Sequence, residues 1–218
     1  MVVERLHATI HAHANHGQGR RRGRPRSVEA DRAIVDAALE LIAEGGIGTL
    51  SMEQVAGRAG VGKATVYRRW PSKEALVGDA LATLNDRMPE DFDGETVRDQ
   101  ITAALEHIRC HGMQTLAGRI YPRMLGYRRS NPEWFEIFQK RVLEPRRERF
   151  RQMLRNAVEV GEIRPDVDVD LATTLLVSPI LYLNLYSTRT PDPKPDGTTE
   201  KIVELLFSGL GPTRANDS

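Results

Sequence analysis

From Ser27 onward the apolar residues of this chain recur every three to four positions, which is the period of one face of a helix. Ile34, Ala38 and Leu41/Ile42 form the first stripe and Gly45-Gly46 ends it, predicting a helix over about 29–44. Ser51 with Gln54 three residues later is a capping box, flanked by Leu50 and Val55 as a hydrophobic staple. A short second helix therefore runs to about Ala59. Gly60-Val61-Gly62 is a tight turn, and a third short helix, 63–70, stops at Pro71. The pattern continues with helices over about 72–88, 95–115 and 118–128. Asn131-Pro132 then opens a long helix that ends at Gly161 and kinks at Pro145. Asp168 and Asp170 open a helix over about 169–187, a proline-rich loop follows over 188–198, and a last helix covers about 199–209. No segment alternates with the period of a strand, so the expected class is all-α.

Leu171–Tyr186 is the most apolar stretch, but Thr173, Thr174, Ser178, Pro179 and Asn184 interrupt it. It is too short and too polar for a membrane span. A helix apolar on most sides is a buried one, and in so small a chain this predicts that a second subunit covers one face. The 169–187 and 199–209 helices are the expected dimer seam, through Leu175, Leu176, Ile180, Leu183, Val203, Leu206 and Phe207.

Charge changes the picture. Residues 1–73 hold twelve Lys and Arg against seven Asp and Glu, while the remainder hold 19 against 23. A near-zero net charge thus conceals a basic module joined to a mildly acidic body. Residues 1–27 lack any period and carry five arginines between Arg20 and Arg26, as a mobile cationic arm would. The expected organisation is an arm (1–27), a three-helix head (28–73), a helical body (74–210) and a short tail (211–218). A single cysteine, Cys110, excludes an internal disulfide and fits a reducing cytoplasm; the His- and Arg-rich start is no secretory signal.

Residues 51–70 carry the chemistry. Ala56 is small where two helices must cross, Gly60 can adopt positive φ in the turn, and Val66 is an apolar plug. This is the spacing of a helix-turn-helix. Lys63, Thr65, Tyr67, Arg68 and Arg69 then form the exposed side of the second helix, with cations and hydroxyls for phosphates and Arg for guanine edges. Arg24-Pro25-Arg26 fits a narrow minor groove, through Arg24 and Arg26.

The run from Gly60 to Leu76, Gly-Val-Gly-Lys-Ala-Thr-Val-Tyr-Arg-Arg-Trp-Pro-Ser-Lys-Glu-Ala-Leu, resembles the turn, recognition helix and fourth-helix start of the tetracycline-repressor (TetR) family. Ala37 and Leu41-Ile42-Ala43-Glu44-Gly45-Gly46 resemble the family's first helix, and the match covers about residues 24–85. The resemblance implies phosphate contacts from Ser51, Thr65, Tyr67 and Lys73, and base contacts from Lys63, Ala64 and Arg68. It also implies that the fourth helix, from Lys73, transmits an effector signal. Gly62 departs from the Ser or Thr usual at that cap, which removes one hydroxyl. The stretches Val142–Arg149 and Gly161–Asp166 resemble one actinobacterial branch of the family, which varies widely in ligand.

The expected function is therefore a dimeric repressor on a near-palindromic operator, released by a small apolar or aromatic effector. Cys110, Met113, Tyr121, Met124, Tyr127, Trp134, Phe138 and Tyr182 are the candidate pocket residues. Two other readings stand beside it. One is an effector-independent regulator or activator. The other is a metal or thiol sensor using His107, Cys110 and His111, which share one helix face but lack a further ligand. Gly57–Ala64 misses the hydroxyl of a nucleotide-binding loop, and Asp166–Asp170 lacks the later glycine and glutamate of a calcium loop, so neither a cofactor nor a metal is expected. His7, His11, His13 and His16 offer only adventitious metal binding. Arg146, Arg147, Arg149 and Arg151, interleaved with Glu144 and Glu148, are read as a solvated face. No catalytic constellation is found.

Overall fold

Local capping and apolar periodicity account for most of what the computed structural model shows. It describes residues 28–86, 88–89, 91–112, 115–186 and 196–210. The arm with Arg24 and Arg26, Met113 and the 211–218 tail lie outside these. Among the described residues there are ten α-helices and no strand. They are α1 (Val28–Gly45), α2 (Met52–Arg58), α3 (Lys63–Arg69), α4 (Lys73–Ala82), α5 (Val97–Gly112), α6 (Leu116–Ser130), α7 (Pro132–Phe138), α8 (Glu144–Glu159), α9 (Val169–Tyr186) and α10 (Thr198–Leu210). The chain divides into two compact units at Thr83/Leu84.

In the first unit the capping box forms as expected. The Gln54 amide donates to Ser51 Oγ at 3.1 Å, and the Ser51 amide donates to Gln54 Oε1 at 2.9 Å. Gly60 takes φ of +66°, a region that costs other residues strain. Ile34, Ala38, Ile42, Val55, Ala56 and Val66 close the core. This unit extends beyond residue 73, because α4 lays Leu76, Val77, Ala80 and Leu81 against α1. Trp70, which ends α3, is 3% exposed and donates its indole N–H to Asp79 at 3.0 Å.

Helix α4 stops at Ala82, six residues before the predicted end. Thr83 turns its hydroxyl back onto the Ala80 carbonyl at 2.7 Å, and the groups that follow are engaged elsewhere. The Leu84 carbonyl accepts from Arg146 at 2.8 Å, and Asn85 contacts both Arg146 and the Arg141 carbonyl.

In the second unit, α5, α8, α9 and α10 enclose Ile101, Leu105, Phe150, Leu154, Leu176 and Val203. Glu162 caps α5, accepting from the Val97 and Arg98 amides at 2.8 and 3.0 Å, where the helix dipole favours an anion. Asp168 caps α9 through the Leu171 amide at 2.9 Å, the structural role left for that acidic run. The predicted 131–161 helix is present in three parts, because residues 139–143 form a π-helical turn between α7 and α8. Pro145 has no N–H for the Arg141 carbonyl, and the Asn85 amide takes that place at 2.8 Å.

Candidate nucleic-acid interface and ligand cavity

In the first unit, α2 and α3 meet across the Gly60 turn with Val66 fully buried between them. That register turns Lys63, Ala64, Tyr67 and Arg68 outward, with Thr65 half-buried. Tyr67 is 46% exposed and its hydroxyl lies 3.5 Å from Glu53, which also faces Lys63 Nζ at 3.7 Å. Among the described residues Arg68 has no hydrogen-bond or ion-pair partner, so its guanidinium remains available for an external acceptor. Ser51 is half-buried at the start of α2, and Lys73 opens α4, where burial holds its ammonium below the ordinary value against the pull of Glu74.

Arg69 departs from the expectation of an outward cation. Its side chain is 9% exposed and pairs with Asp31 of α1. The position follows from the helix period: Arg69 stands three residues after the buried Val66 and falls on the same face.

The second unit contains a cavity of about 210 Å³ between α5, α6, α8 and α9. Ile108, Leu125, Phe150, Val177 and Leu181 form its apolar walls, and Tyr121, Arg146, Arg147, Thr173, Thr174 and Asn184 its polar positions. Tyr121 packs edge-on against Phe138, centroids 5.0 Å apart, and among the described residues its buried hydroxyl has no acceptor for its proton. Burial pushes that phenol up, while Arg146, 5.1 Å from the ring centroid, pulls it down.

Of the predicted pocket residues that the structure describes, Tyr121 alone walls this cavity. Met124 and Phe138 are core, and Trp134 and Tyr127 lie half-buried outside it. Tyr182 is 62% exposed. Cys110 is buried in a different cluster, with its Sγ 3.2 Å from Glu106 and from Arg109. Glu106 accepts from Arg109 at 2.6 Å and from the Thr199 hydroxyl of α10 at 2.6 Å, and its carboxyl is held down to about 2, chiefly by Arg109. Desolvation and the Glu106 carboxylate push the Cys110 thiol up to about 11. Such a thiol resists ionisation, against a thiol sensor. No group of His, Cys, Asp and Glu suited to a metal occurs among the described residues, and His107 instead meets Phe92 edge-on at 6.0 Å.

The arginine run on α8 is not a uniformly solvated face. Arg151 is tied to Glu144, Glu148 and Asp170, and Arg146 and Arg147 line the cavity. The signal was available: Arg146 lies four residues from each of the buried Val142 and Phe150. Four of the expected dimer residues, Leu176, Ile180, Val203 and Phe207, are core of the single chain, and Leu206 packs half-buried against it. The exposed apolar side of α9 is Leu171, Leu175, Tyr182 and Leu183, and that of α10 is Leu205. No helix among the described residues is long and apolar enough to cross a membrane.

A three-helix head that packs one short helix behind another and turns the second helix's cations outward is a helix-turn-helix DNA-binding unit. The chain belongs to the tetracycline-repressor family of bacterial transcriptional regulators. Residues 34–80 match the family profile described as bacterial regulatory proteins, tetR family, and residues 92–206 match the tetracyclin repressor-like C-terminal domain. Over 199 residues the chain is 31% identical to YdeS, an uncharacterized HTH-type transcriptional regulator of Bacillus subtilis (strain 168), covering 91% of this chain and 98% of that one. It is 30% identical over 154 residues to the DNA-binding transcriptional repressor TetR of Mycobacteroides abscessus, covering 69% and 77%. Its fold is similar to that of the Bacillus subtilis regulator FadR solved with stearoyl-CoA, with a TM-score of 0.65 and 25% identity over 82% of this chain and 98% of that one. The chain is thus a DNA-binding transcriptional regulator, of a family that binds operators as homodimers and responds to small molecules.

Proposed function

We propose that this chain is a dimeric repressor that leaves its operator when a small effector fills the cavity of the second unit, and that it acts as a binding switch in the cytoplasm and not as an enzyme. The observation that carries the reading is the cavity itself. A head that only had to occupy DNA needs no walled apolar space with a few polar groups in the other unit, whereas an effector site requires one. FadR, solved with stearoyl-CoA, supports the same reading by its similar fold.

On DNA, Lys63, Ala64 and Arg68 approach bases, and Ser51, Thr65, Tyr67 and Lys73 touch phosphates. Arg24 and Arg26 lie in the adjacent minor groove. Two heads reach successive major grooves about 34–36 Å apart on a near-palindromic site. The exposed side chains Leu171, Leu175 and Tyr182, at i, i+4 and i+11 along α9, together with Leu205 of α10, form the seam. Fluorescence anisotropy with a labelled palindrome from the neighbouring promoter tests the reading. Sequence-selective binding that weakens with salt is expected, and its absence at every salt concentration ends the proposal.

A further inference from the structure

Among the described residues, the cations in the cavity wall meet no anion. Arg146 donates from Nε to Asn85 Oδ1 at 3.0 Å and from Nη2 to the Leu84 carbonyl at 2.8 Å, and it faces the Tyr121 ring. Arg147 donates from Nη2 to the Thr174 hydroxyl at 3.1 Å. All of these partners are neutral, and among the described residues no carboxylate lines the cavity. Arg151, one turn further along the same helix, shows what a structural arginine does here: it meets Glu144 at 2.6 Å, Glu148 at 3.2 Å and Asp170 at 2.6 Å. A guanidinium carries five N–H donors in one plane, so Arg146 keeps donors beyond the two that hold it in place. Beside it, the Tyr121 hydroxyl is buried and, among the described residues, finds no acceptor for its proton, a donor whose burial is uncompensated there.

The rest of the wall states the other half of the ligand. Ile108, Leu125, Phe150, Val177 and Leu181 present aliphatic and aromatic surface. A cavity of about 150 Å³ with such walls accommodates benzene. One of about 210 Å³ therefore suits a single ring with a short substituent and a small polar group.

We infer that the effector is a compact organic acid, an apolar body of about one substituted ring bearing a carboxylate that Arg146 and the Tyr121 hydroxyl hold between them. Two oxygens in one plane match a guanidinium edge and leave a lone pair for the phenol. Arg147, at the exposed edge of the cavity, draws the anion in. This rests on the reading of the cavity as the effector site.

The test compares 4-ethylbenzoate with its neutral isostere 4-ethylbenzamide on the full chain by isothermal titration calorimetry. The acid is expected to bind at least tenfold more tightly. Tyr121→Phe keeps the edge contact with Phe138 and removes the uncompensated hydroxyl. It should melt no lower than the unaltered chain without ligand, yet bind the acid several-fold more weakly and lose less affinity for the amide, whose carbonyl accepts a weaker, uncharged hydrogen bond. Arg146→Gln should abolish the preference for the acid. Equal affinity for the two probes, no binding of either, or an acid affinity indifferent to Tyr121→Phe overturns the inference. Operator release is read separately by anisotropy: if the acid binds with the expected preference but the operator stays bound, the ligand class stands and the effector-release reading falls.

Discussion

Arg68 and Arg69 are adjacent in sequence, and the structure gives them opposite tasks that one pair of substitutions separates. Arg69 has a 9% exposed side chain paired with Asp31, itself 25% exposed, whereas Arg68 is exposed and unpartnered among the described residues. Replacing one member of a fully buried ion pair costs about 3–5 kcal/mol because the other charge is stranded. Asp31 retains some solvent, so Arg69→Met should cost about 2–3 kcal/mol of the head's stability. In a small unit this lowers the melting temperature by roughly 4–8 °C per kcal/mol. Arg68→Met should leave melting unchanged within about 0.5 kcal/mol, as surface changes do. If Arg68 is bidentate to guanine it should instead lose about 1–3 kcal/mol of operator binding, with relaxed base choice. Thermal unfolding by circular dichroism and anisotropy titration, each done on both variants, provide the readouts. The double variant Arg69→Met/Asp31→Leu should recover stability, because the stranded carboxylate is gone. An Arg69→Met protein that melts like the unaltered chain yet fails on DNA would refute the division, and so would an Arg68→Met protein with full affinity.

Other outcomes follow from the same geometry. Glu106 is held near 2 in the folded chain, below its ordinary value, so its contribution is complete above about pH 4.5 and fades as pH falls from there toward 2. Glu106→Gln should therefore lower stability by roughly 1–2 kcal/mol at pH 7 and flatten the acid limb of a melting-temperature series. At Gly62 φ is −69° and an added Cβ meets nothing within 4 Å, so Gly62→Ser should stabilise α3 by about 0.5–1 kcal/mol, read by urea midpoint. Leu175→Glu with Tyr182→Glu places charges on the exposed row of α9 and should yield a monomer by light scattering, with far-ultraviolet dichroism retained.

What sequence could and could not disclose follows from the range of each interaction. The Ser51–Gln54 box, the Gly60 turn and the Asp168 cap were legible because both partners lie within a few residues. Arg69 was misplaced because its partner is 38 positions away in sequence, though its three-residue step from Val66 pointed inward. A pocket in the helical body was expected and Tyr121 does wall it, but most of its lining was missed for a related reason. Aromatic and sulfur side chains suggested a pocket, but Met124 and Phe138 serve as core, and the polar positions came from arginines that a local Glu-Arg pattern presented as surface. Helix periodicity likewise marked α9 and α10 as apolar without stating which side faces inward, so Leu176 and Val203 were grouped with Leu175.

The wide turn at 139–143 has a consequence of its own. Each residue added to or taken from a helix swivels everything beyond it by about 100°. The five-residue loop of that turn takes up one surplus position, and thereby decides that Arg146 and Phe150, and not their neighbours, look into the hollow. Loss of a single residue between Gln139 and Leu143 would re-dial the share of the lining that α8 supplies, Arg146, Arg147 and Phe150, at once while every side chain in the reading head stayed as it is. Changing the count of residues at this one joint is a shorter route to a new signal than changing the lining one amino acid at a time.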